Sequence, residues 1–478
     1  MQSNMENKPL IGMYTIIGTT GIGVFMSVID SSVVNISLHR IVEYFKITLE
    51  IGQWVILAYL LAISAFMIIA GDFGDRYGNK KIFQIGMLLF STASLLCSLS
   101  LTIEMLILFR IIQAVGASFI MANGVAIITS LIPKTERGKA LGWNSLIVSS
   151  GLLVGPVLGC ILTDVFGWQS IFLINVPIGI IGFLAVSKNI PTLLPNNKNG
   201  KKTDFFGAFL FSASIILFVY GMTTFSENTN NGFMKGITII IIALALLASF
   251  IIWSKYASDP IIEISLFTNK TFTFSIISGI LVYVSIQSIM VQLPYFLQEI
   301  NHLTPITTSI VIFGIPLMMA LTGPWAGKLS DKILPRYIST IGAAGIGFTA
   351  LLLSMIIQEN SNLILVFILM LILGFTIGVF SSPNANSVMS SAPKNKQGIA
   401  GGMMALARNV GFSIGLGFST ALIIFFQNQN VLKNGGLLED PINYIPAFQM
   451  VLIFVSILSI ITIIISYLRG NNYYKDQY

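Results

Sequence analysis

Two charged residues stand inside long apolar segments, and they are the residues best placed to do chemistry. Asp30 lies in the segment 11–38, and Arg110 lies in the segment 104–132. A charged side chain inside a bilayer costs about 3 kcal/mol on insertion scales, so it normally faces a partner or a water-filled cavity. A carboxyl group beside a guanidinium can bind or release a proton as their separation changes, which makes Asp30 a candidate proton site.

The depths of the two residues predict that they meet. At a rise of about 1.5 Å per residue, Arg110 lies about 9 Å and Asp30 about 12 Å from the predicted outer ends of their helices. Ser27, Gly23 and Ser37 add a narrow stripe of small and polar residues to the helix face of Asp30. Two other interpretations stay open: a permanent structural ion pair, or a carboxyl that only joins packed helices.

The composition sets the class of protein. Of 478 residues, 55% are hydrophobic and 9% charged, whereas soluble domains average about 25% charged. This predicts a helical protein that crosses a membrane many times. The sequence has no phosphate-binding loop of the G-x-x-x-x-G-K type, which argues against an ATP-driven pump. The histidines, His39 and His302, lie in predicted external loops, so we expect no enzyme, metal site or cofactor.

Hydropathy predicts fourteen membrane-spanning helices, about 20 residues being needed for each crossing. They lie near 11–38, 50–70, 81–101, 104–132, 139–163, 168–187, 204–225, 235–254, 271–298, 304–327, 337–357, 362–390, 397–426 and 444–468. Most of the 26 Lys and Arg residues fall on one side of this topology. The positive-inside rule then puts both termini in the cytosol of a cell-membrane protein. The rule also explains the net charge of +7 without nucleic-acid binding.

The chain repeats itself. Small residues recur 260 positions apart, as Ala140, Gly142, Gly151 and Gly155 and again as Ala400, Gly402, Gly411 and Gly415. A polar loop recurs 256 positions apart, as Gly71, Asp75, Arg76 and Lys80 and again as Gly327, Asp331, Lys332 and Arg336. Duplicated halves are common in transporters. We predict a six-helix bundle over 1–187, a connector with two inserted helices over 188–270, and a second six-helix bundle over 271–478.

Several motifs carry a family resemblance. The segment Gly71–Lys80 resembles the loop signature of the major facilitator superfamily, and Arg110–Gly116 resembles its fourth-span motif. Gly151–Gly159 resembles the fifth-span motif associated with antiporters. Ile29–Ile36, together with Trp168 and the run 172–179, resembles the fourteen-span drug:proton antiporter branch. The resemblance implies two six-helix bundles plus two inserted helices, rocking around a midplane site.

Two groups of residues are predicted to act in gating. Asp75 and Arg76 can form ion pairs at the cytosolic side, with Arg137 as a candidate partner, and such exposed pairs are worth about 0–1 kcal/mol each. In the fifth span, Gly155 allows close helix approach and Pro156 permits a bend. Both groups could also be merely structural.

Polar and aromatic residues within spans are candidates for the substrate site, although any one of them is more often a helix-packing contact. They are Asn35, Trp54, Tyr59, Asn123, Asn144, Gln287, Gln292, Asn384 and Arg408. Arg408 lies deepest, and it either reaches a membrane surface or helix end, or lines the cavity and meets an anionic group.

These features lead to a functional hypothesis. We expect a proton-coupled antiporter that exports amphipathic drugs or toxic compounds by alternating access. The alternative is an exporter of an endogenous lipid or anionic amphipathic metabolite, and a transport-dead sensor on the same fold is a third possibility. The expected partners are a small amphipathic substrate, protons and membrane lipids, around a monomer. Members of the resembled family that export divalent organic cations tend to have further acids within spans, whereas Asp30 is the only acid well inside a predicted span here, so the resemblance argues against that substrate class.

Overall fold

The computed structural model describes residues 12–470, except 48, 193–203, 226–231, 258–259, 261–263, 360, 394–395 and 436–439. Within these residues all regular secondary structure is helical. The side chains of Asn35 and Pro156 lie outside the described part of the chain.

The first six predicted spans correspond to seven helices. They are α1 Met13–Phe45, α2 Leu49–Tyr77, α3 Asn79–Ser98, α4 Ile103–Leu131, α5 Arg137–Phe166, α6 Ser170–Leu173 and α7 Asn175–Asn189. Gly78 separates α2 from α3 with a φ of 97°, a conformation that side-chain-bearing residues rarely adopt. Pro177 explains the break between α6 and α7, because it has no N–H to donate to the carbonyl of Leu173.

The described residues from 205 onwards contain eight further α-helices. They are α8 Phe205–Phe225, α9 Gly232–Tyr256, α10 Lys270–Tyr295, α11 Pro305–Ser330, α12 Pro335–Ile356, α13 Leu363–Ser391, α14 Gln397–Asn434 and α15 Pro441–Leu468. Counted over the described residues, twelve spans are long and apolar enough to cross a membrane, with α6 and α7 forming one of them. Helices α5 and α8 do not enter that count, so the predicted number of fourteen is not confirmed.

The helices pair in the same way in two parts of the chain. Helix α1 packs on α5 as α10 packs on α14, and α2 packs on α4 as α11 packs on α13. We call α1–α7 the first half and α10–α15 the second half. Helices α8 and α9 form a hairpin, and α8 touches both α2 and α14. The halves meet where α5 packs on α11 and α2 packs on α14.

Glycines allow the closest approach between the halves. A Cβ atom added to Gly142 on α5 would lie 2.4 Å from the carbonyl oxygen of Gly323 on α11. One added to Gly402 on α14 would lie 2.7 Å from the carbonyl oxygen of Met67 on α2. Both contacts lie towards the predicted cytosolic end, where α2 ends and α5 begins, and they close the two halves against each other there.

Replacing Gly142 by alanine should therefore open this end. The added methyl group meets backbone atoms, which cannot rotate away, and overpacking of this kind costs about 1–3 kcal/mol. We expect spin labels on the ends of α5 and α11 to report longer distances in Gly142→Ala. Gly18→Ala is the matched control, because a Cβ atom at Gly18 has nothing within 4 Å. An unchanged distance in Gly142→Ala would show that this contact does not hold the halves together.

Candidate functional site

Asp30 is buried and surrounded by hydrogen-bond donors. Its Oδ2 accepts a hydrogen bond from Arg110 Nη1 at 2.5 Å. Its Oδ1 accepts from Gln113 Nε2 and from Asn175 Nδ2, both at 2.9 Å. Only 1% of Asp30 is exposed. The carboxylate on α1 thus joins α4, which carries Arg110 and Gln113, to α7, which carries Asn175.

Arg110 extends this network to two further helices. Its Nη1 also donates to Gln113 Oε1 at 2.6 Å, and its Nε donates to the Val55 carbonyl on α2 at 3.3 Å. The guanidinium lies over the Tyr59 ring, 4.0 Å from the ring centre. Gln113 Nε2 also donates to Ser94 Oγ on α3. We call Asp30, Arg110, Gln113, Asn175 and Ser94 the aspartate network.

The aspartate network couples protonation to helix packing. All three donors around Asp30 point an N–H at the carboxylate, which suits the ionised form. A proton on Asp30 would add an O–H donor to a site that already holds three N–H donors, and would weaken these hydrogen bonds. Protonation would therefore disturb the contacts among α1, α4 and α7. The contact between Asp30 and Arg110 matches the prediction from their depths, whereas Gln113, Asn175 and Ser94 were not predicted as site residues.

The predicted gating residues lie where the halves meet. Arg76 pairs with Asp72 one turn earlier on α2, with Nε and Oδ2 2.5 Å apart. Asp75 Oδ2 accepts a hydrogen bond from the backbone N–H of Ile399, in the first turn of α14. Arg137 begins α5, and its Nε donates to the Ile132 carbonyl. Asp75 thus binds a helix N-terminus of the other half, where the helix dipole favours a negative charge.

Asp331 repeats this arrangement from the second half. Its Oδ1 accepts from the backbone N–H of Gly138 at 2.9 Å, and its Oδ2 accepts from that of Lys139 at 3.1 Å. Gly138 and Lys139 form the first turn of α5. Each half therefore supplies one aspartate to a helix N-terminus in the other half. We call these contacts of Asp75 and Asp331 the paired caps.

Gly155 lies at a close approach between two helices of the first half, and its gating role stays a prediction. A Cβ atom added to Gly155 would collide with Ser32 Oγ on α1. In this structure Gly155 therefore brings α5 close to α1 inside the first half, and not to a helix of the second half.

Three of the predicted substrate-site amides join helices of one half. Asn123 Nδ2 donates to the Ala70 carbonyl, which ties α4 to α2. Asn384 Nδ2 donates to the Ser275 carbonyl, and its Oδ1 accepts from Arg469 Nη1 at 2.9 Å. Gln292 Oε1 accepts from the Tyr444 hydroxyl. These hydrogen bonds give each amide a packing role in the conformation seen here.

The other predicted residues have more open surroundings. Trp54 is 38% exposed, with its ring centre 5.8 Å from that of Tyr220 on α8. Gln287 on α10 is partly buried where α10 packs against Gly415 of α14. The Tyr59 hydroxyl and Asn144 Oδ1 are buried with no hydrogen-bond partner in the described part of the chain. Tyr59 and Asn144 are thus able to accept a further partner.

Arg408 reaches from one half to the other. It is partly buried on α14, and its Nη2 lies 3.2 Å from Met121 Sδ on α4 of the first half. One turn further along α14, Gly411 and Phe412 pack against Tyr283 of α10. The side chain is therefore directed into the contact between the halves and not towards a membrane surface.

The fold and the site define a multi-pass membrane transporter, not an enzyme. The sequence model of the Major Facilitator Superfamily matches residues 20–277 and again residues 275–475. The chain belongs to this superfamily, which confirms that prediction. The fourteen-span antiporter branch within it stays a prediction.

Relatives with assigned names fall into two groups. The riboflavin transporter RibZ of Clostridioides difficile is 37% identical over 401 residues, which cover 83% of this chain and 85% of the relative. Multidrug resistance protein Stp of Mycobacterium tuberculosis is 28% identical, covering 83% and 73% of the two chains. Multidrug resistance protein 3 of Bacillus subtilis is 26% identical, covering 85% and 79%.

Solved structures match the fold over nearly the whole chain. The human organic anion transporter MFSD10 superposes with a TM-score of 0.67 at 12% identity, covering 96% of this chain and all of that one. The proton:xylose symporter XylE gives a TM-score of 0.65 at 12% identity, covering 95% and 94%. At this identity the likeness concerns the fold alone.

The paired caps lead to a prediction about pH. Burial raises the pKa of the Asp331 carboxyl, with the nearby Glu136 adding to the shift, although the hydrogen bonds from Gly138 and Lys139 oppose it. The closed state then binds a proton at Asp331 more tightly than an open state, where the pKa is about 3.9. Above the raised pKa, the ionised Asp331 carboxylate destabilises the closed state by its full amount. Below the ordinary pKa, Asp331 is protonated in both states and this destabilisation is absent. Acidification from pH 7 towards pH 4 should favour the closed state.

Variants of Asp331 separate charge from hydrogen bonding. Asp331→Asn keeps one acceptor but cannot ionise. In this variant the fraction of molecules in the closed state should therefore lose the part of its pH dependence that is due to Asp331. Asp331→Ala loses both acceptors and should open this end at every pH. Distances between spin labels on α5 and α11 measure both effects. Equal pH responses in wild type and Asp331→Asn would contradict this account.

Proposed function

We propose that this chain is a proton-coupled transporter of amphipathic compounds, with export in exchange for protons as the first candidate function. The observation that carries the proposal is the aspartate network. It surrounds the Asp30 carboxyl group with donors from two other helices, so a proton on Asp30 would disturb the contacts between those helices and α1. The multidrug resistance proteins among the relatives support export of foreign compounds.

Alternating access would link the aspartate network to the paired caps. In the structure the halves are joined at the predicted cytosolic end by Asp75 and Asp331. A proton that reaches Asp30 frees Arg110 from its counter-ion and loosens the contacts among α1, α4 and α7. The first half then repacks, the paired caps separate, and the midplane site faces the other side.

A second candidate is the transport of a flavin or a similar planar compound. The relative RibZ, named a riboflavin transporter, supports it. The position of Arg408 supports it as well, because a guanidinium can stack on a planar ring and donate to its carbonyl oxygens. The predicted alternative of an anionic amphipathic metabolite belongs to the same group. Arg408 favours cargo of this kind over organic cations.

The topology forms part of the proposal. We place fourteen spans in a cell membrane, with both termini in the cytosol and α8–α9 as the inserted pair. Bundles over 1–187 and 271–478, joined by the connector 188–270, would move as a monomer among membrane lipids. Most of the basic residues lie on the side that this orientation makes cytosolic.

Replacing Asp30 by asparagine tests the proton site. Asparagine cannot take up a proton, so Asp30→Asn should lose transport driven by a pH gradient, by about tenfold or more, while still inserting. Uptake of riboflavin and of rhodamine 6G by proteoliposomes after a pH jump measures this and shows the direction of movement. Glu43→Gln is the control, since its carboxylate is exposed in a pair with Arg40. Normal pH-driven transport by Asp30→Asn would reject the proposal.

Replacing Asn175 by leucine tests the network around that site. The change removes one donor to Asp30 Oδ1 and so disfavours the ionised carboxyl. We expect the pH midpoint of transport to move to higher pH without loss of the fold. In an Asp30→Asn background the same change should have no further effect on pH dependence. A shift of equal size in that background would mean that Asn175 acts on another group.

A further inference from the structure

We infer that Arg408 is the selectivity residue of the substrate site, and that it makes the site bind planar aromatic anions in preference to aromatic cations. The inference rests on the proposed transport function and favours its second candidate. It concerns binding at equilibrium, so it can be tested apart from proton coupling.

The first step is the position of Arg408 along its helix. It lies about eleven residues after Gln397, where α14 begins, and so about 16 Å along the helix. Half of a hydrocarbon core about 30 Å thick is close to this distance. The guanidinium lies near the midplane and points at Met121 of the other half. It therefore lies at the contact between the halves and not at the lipid headgroups.

The second step is that the charge of Arg408 is uncompensated. Its nearest polar contact is a thioether, which is a weak acceptor and carries no negative charge. No carboxylate lies within ion-pairing distance of Arg408 in the ranges that the structure describes. Asp30, the acid at a comparable depth, forms an ion pair with Arg110. A cation left alone at this depth is costly, and such residues mark binding sites in membrane proteins.

The third step is the chemistry around the guanidinium. One turn along α14 from Arg408, a Cβ atom added to Gly411 would lie 2.7 Å from Tyr283 Cβ on α10, and the Tyr283 ring packs edge-on against Phe412 with ring centres 5.4 Å apart. Two buried polar groups lack hydrogen-bond partners among the described residues: Asn409 Nδ2, next to Arg408 on α14, and the Tyr59 hydroxyl on α2, which packs against α14. Tyr59 is 2% exposed and Asn409 is 8% exposed. Both groups can donate hydrogen bonds to acceptor atoms of a ligand.

Together these groups define one ligand chemistry. Aromatic rings on α10 and α14 offer stacking, and the guanidinium adds a charged donor with planar geometry. Unpartnered donors beside it favour a ligand edge made of acceptors. A sulfonate, carboxylate or phosphate on a planar ring fits this arrangement, and ring carbonyl groups fit it more weakly. A cationic ring would meet a fixed like charge, because arginine stays protonated across the physiological range.

Two dyes with the same ring system and opposite charge provide the test. Sulforhodamine B carries a net negative charge and rhodamine 6G a positive one, and both share a xanthene core. We would measure their binding to the full chain in lipid nanodiscs by fluorescence anisotropy. A charge-assisted hydrogen bond in a desolvated site predicts at least about tenfold tighter binding of sulforhodamine B.

Variants then assign the preference to Arg408. Arg408→Gln should lose the preference for sulforhodamine B, and Arg408→Lys, which keeps charge but not the planar fork, should retain part of it. Arg40→Gln is the matched control, since its side chain is 58% exposed outside the site. Asp30→Asn should keep the preference, even if it stops proton-driven transport.

Several results would overturn the inference. They are equal or tighter binding of rhodamine 6G, no saturable binding of sulforhodamine B, or a preference that survives in Arg408→Gln. If Arg408→Gln fails to fold, the comparison of the two dyes on the wild type and on Arg408→Lys still decides. Absence of pH-driven transport by the wild type, together with an intact dye preference, would instead contradict only the proposed proton coupling.

Discussion

The hydrogen-bonded pair of Asp30 and Arg110 is the contact on which the first half depends. A charge buried in a bilayer is tolerated only with a partner and with its remaining hydrogen bonds satisfied. Here the carboxylate has three donors, and the guanidinium binds a carboxylate, an amide, a backbone carbonyl and an aromatic face. Five helices therefore meet at one charge. Any event that changes this charge changes how those helices pack.

The paired caps connect that local chemistry to the whole molecule. Asp75 and Asp331 bind backbone N–H groups at the N-termini of α14 and α5. These hydrogen bonds are directional and break completely when the helix end moves away by a few ångströms. The halves can therefore stay rigid inside and still separate at a defined place. The tight backbone contact at Gly142 adds a steric requirement to the same closed state.

The sequence predicted the main helices and the central pair because both depend on local pattern and depth. The predicted helix ends were less accurate, because α1 continues to Phe45 and α14 to Asn434. Polar residues can extend a helix beyond the hydrocarbon region, and hydropathy does not detect that extension. The paired caps could be predicted only in part. The repeat identified both aspartates, but their partners are backbone N–H groups, which every residue type except proline has.

The partners of the amide side chains in the site could not be predicted from the sequence. Asn123, Asn384 and Gln292 are predicted substrate-site residues, and in this structure they form hydrogen bonds with neighbouring helices. Gln113 and Asn175 were left unassigned and bind Asp30. An amide in an apolar span needs hydrogen bonds in either case, so residue type cannot distinguish a ligand contact from a helix contact. Only the three-dimensional arrangement decides which partner is within reach.

The position of Tyr59 has a consequence for the direction of transport. Its ring covers Arg110, and its helix α2 packs against α14, which carries Arg408, so both guanidinium groups lie around one shared region. With Asp30 ionised, Arg110 is neutralised and one net positive charge remains. With Asp30 protonated, two net positive charges remain. Under the proposed proton coupling, an anion and a proton would therefore strengthen each other's binding by equal amounts, whereas a cation and a proton would weaken each other's binding. The sign of the cargo's charge would thus decide whether it travels with the proton or against it.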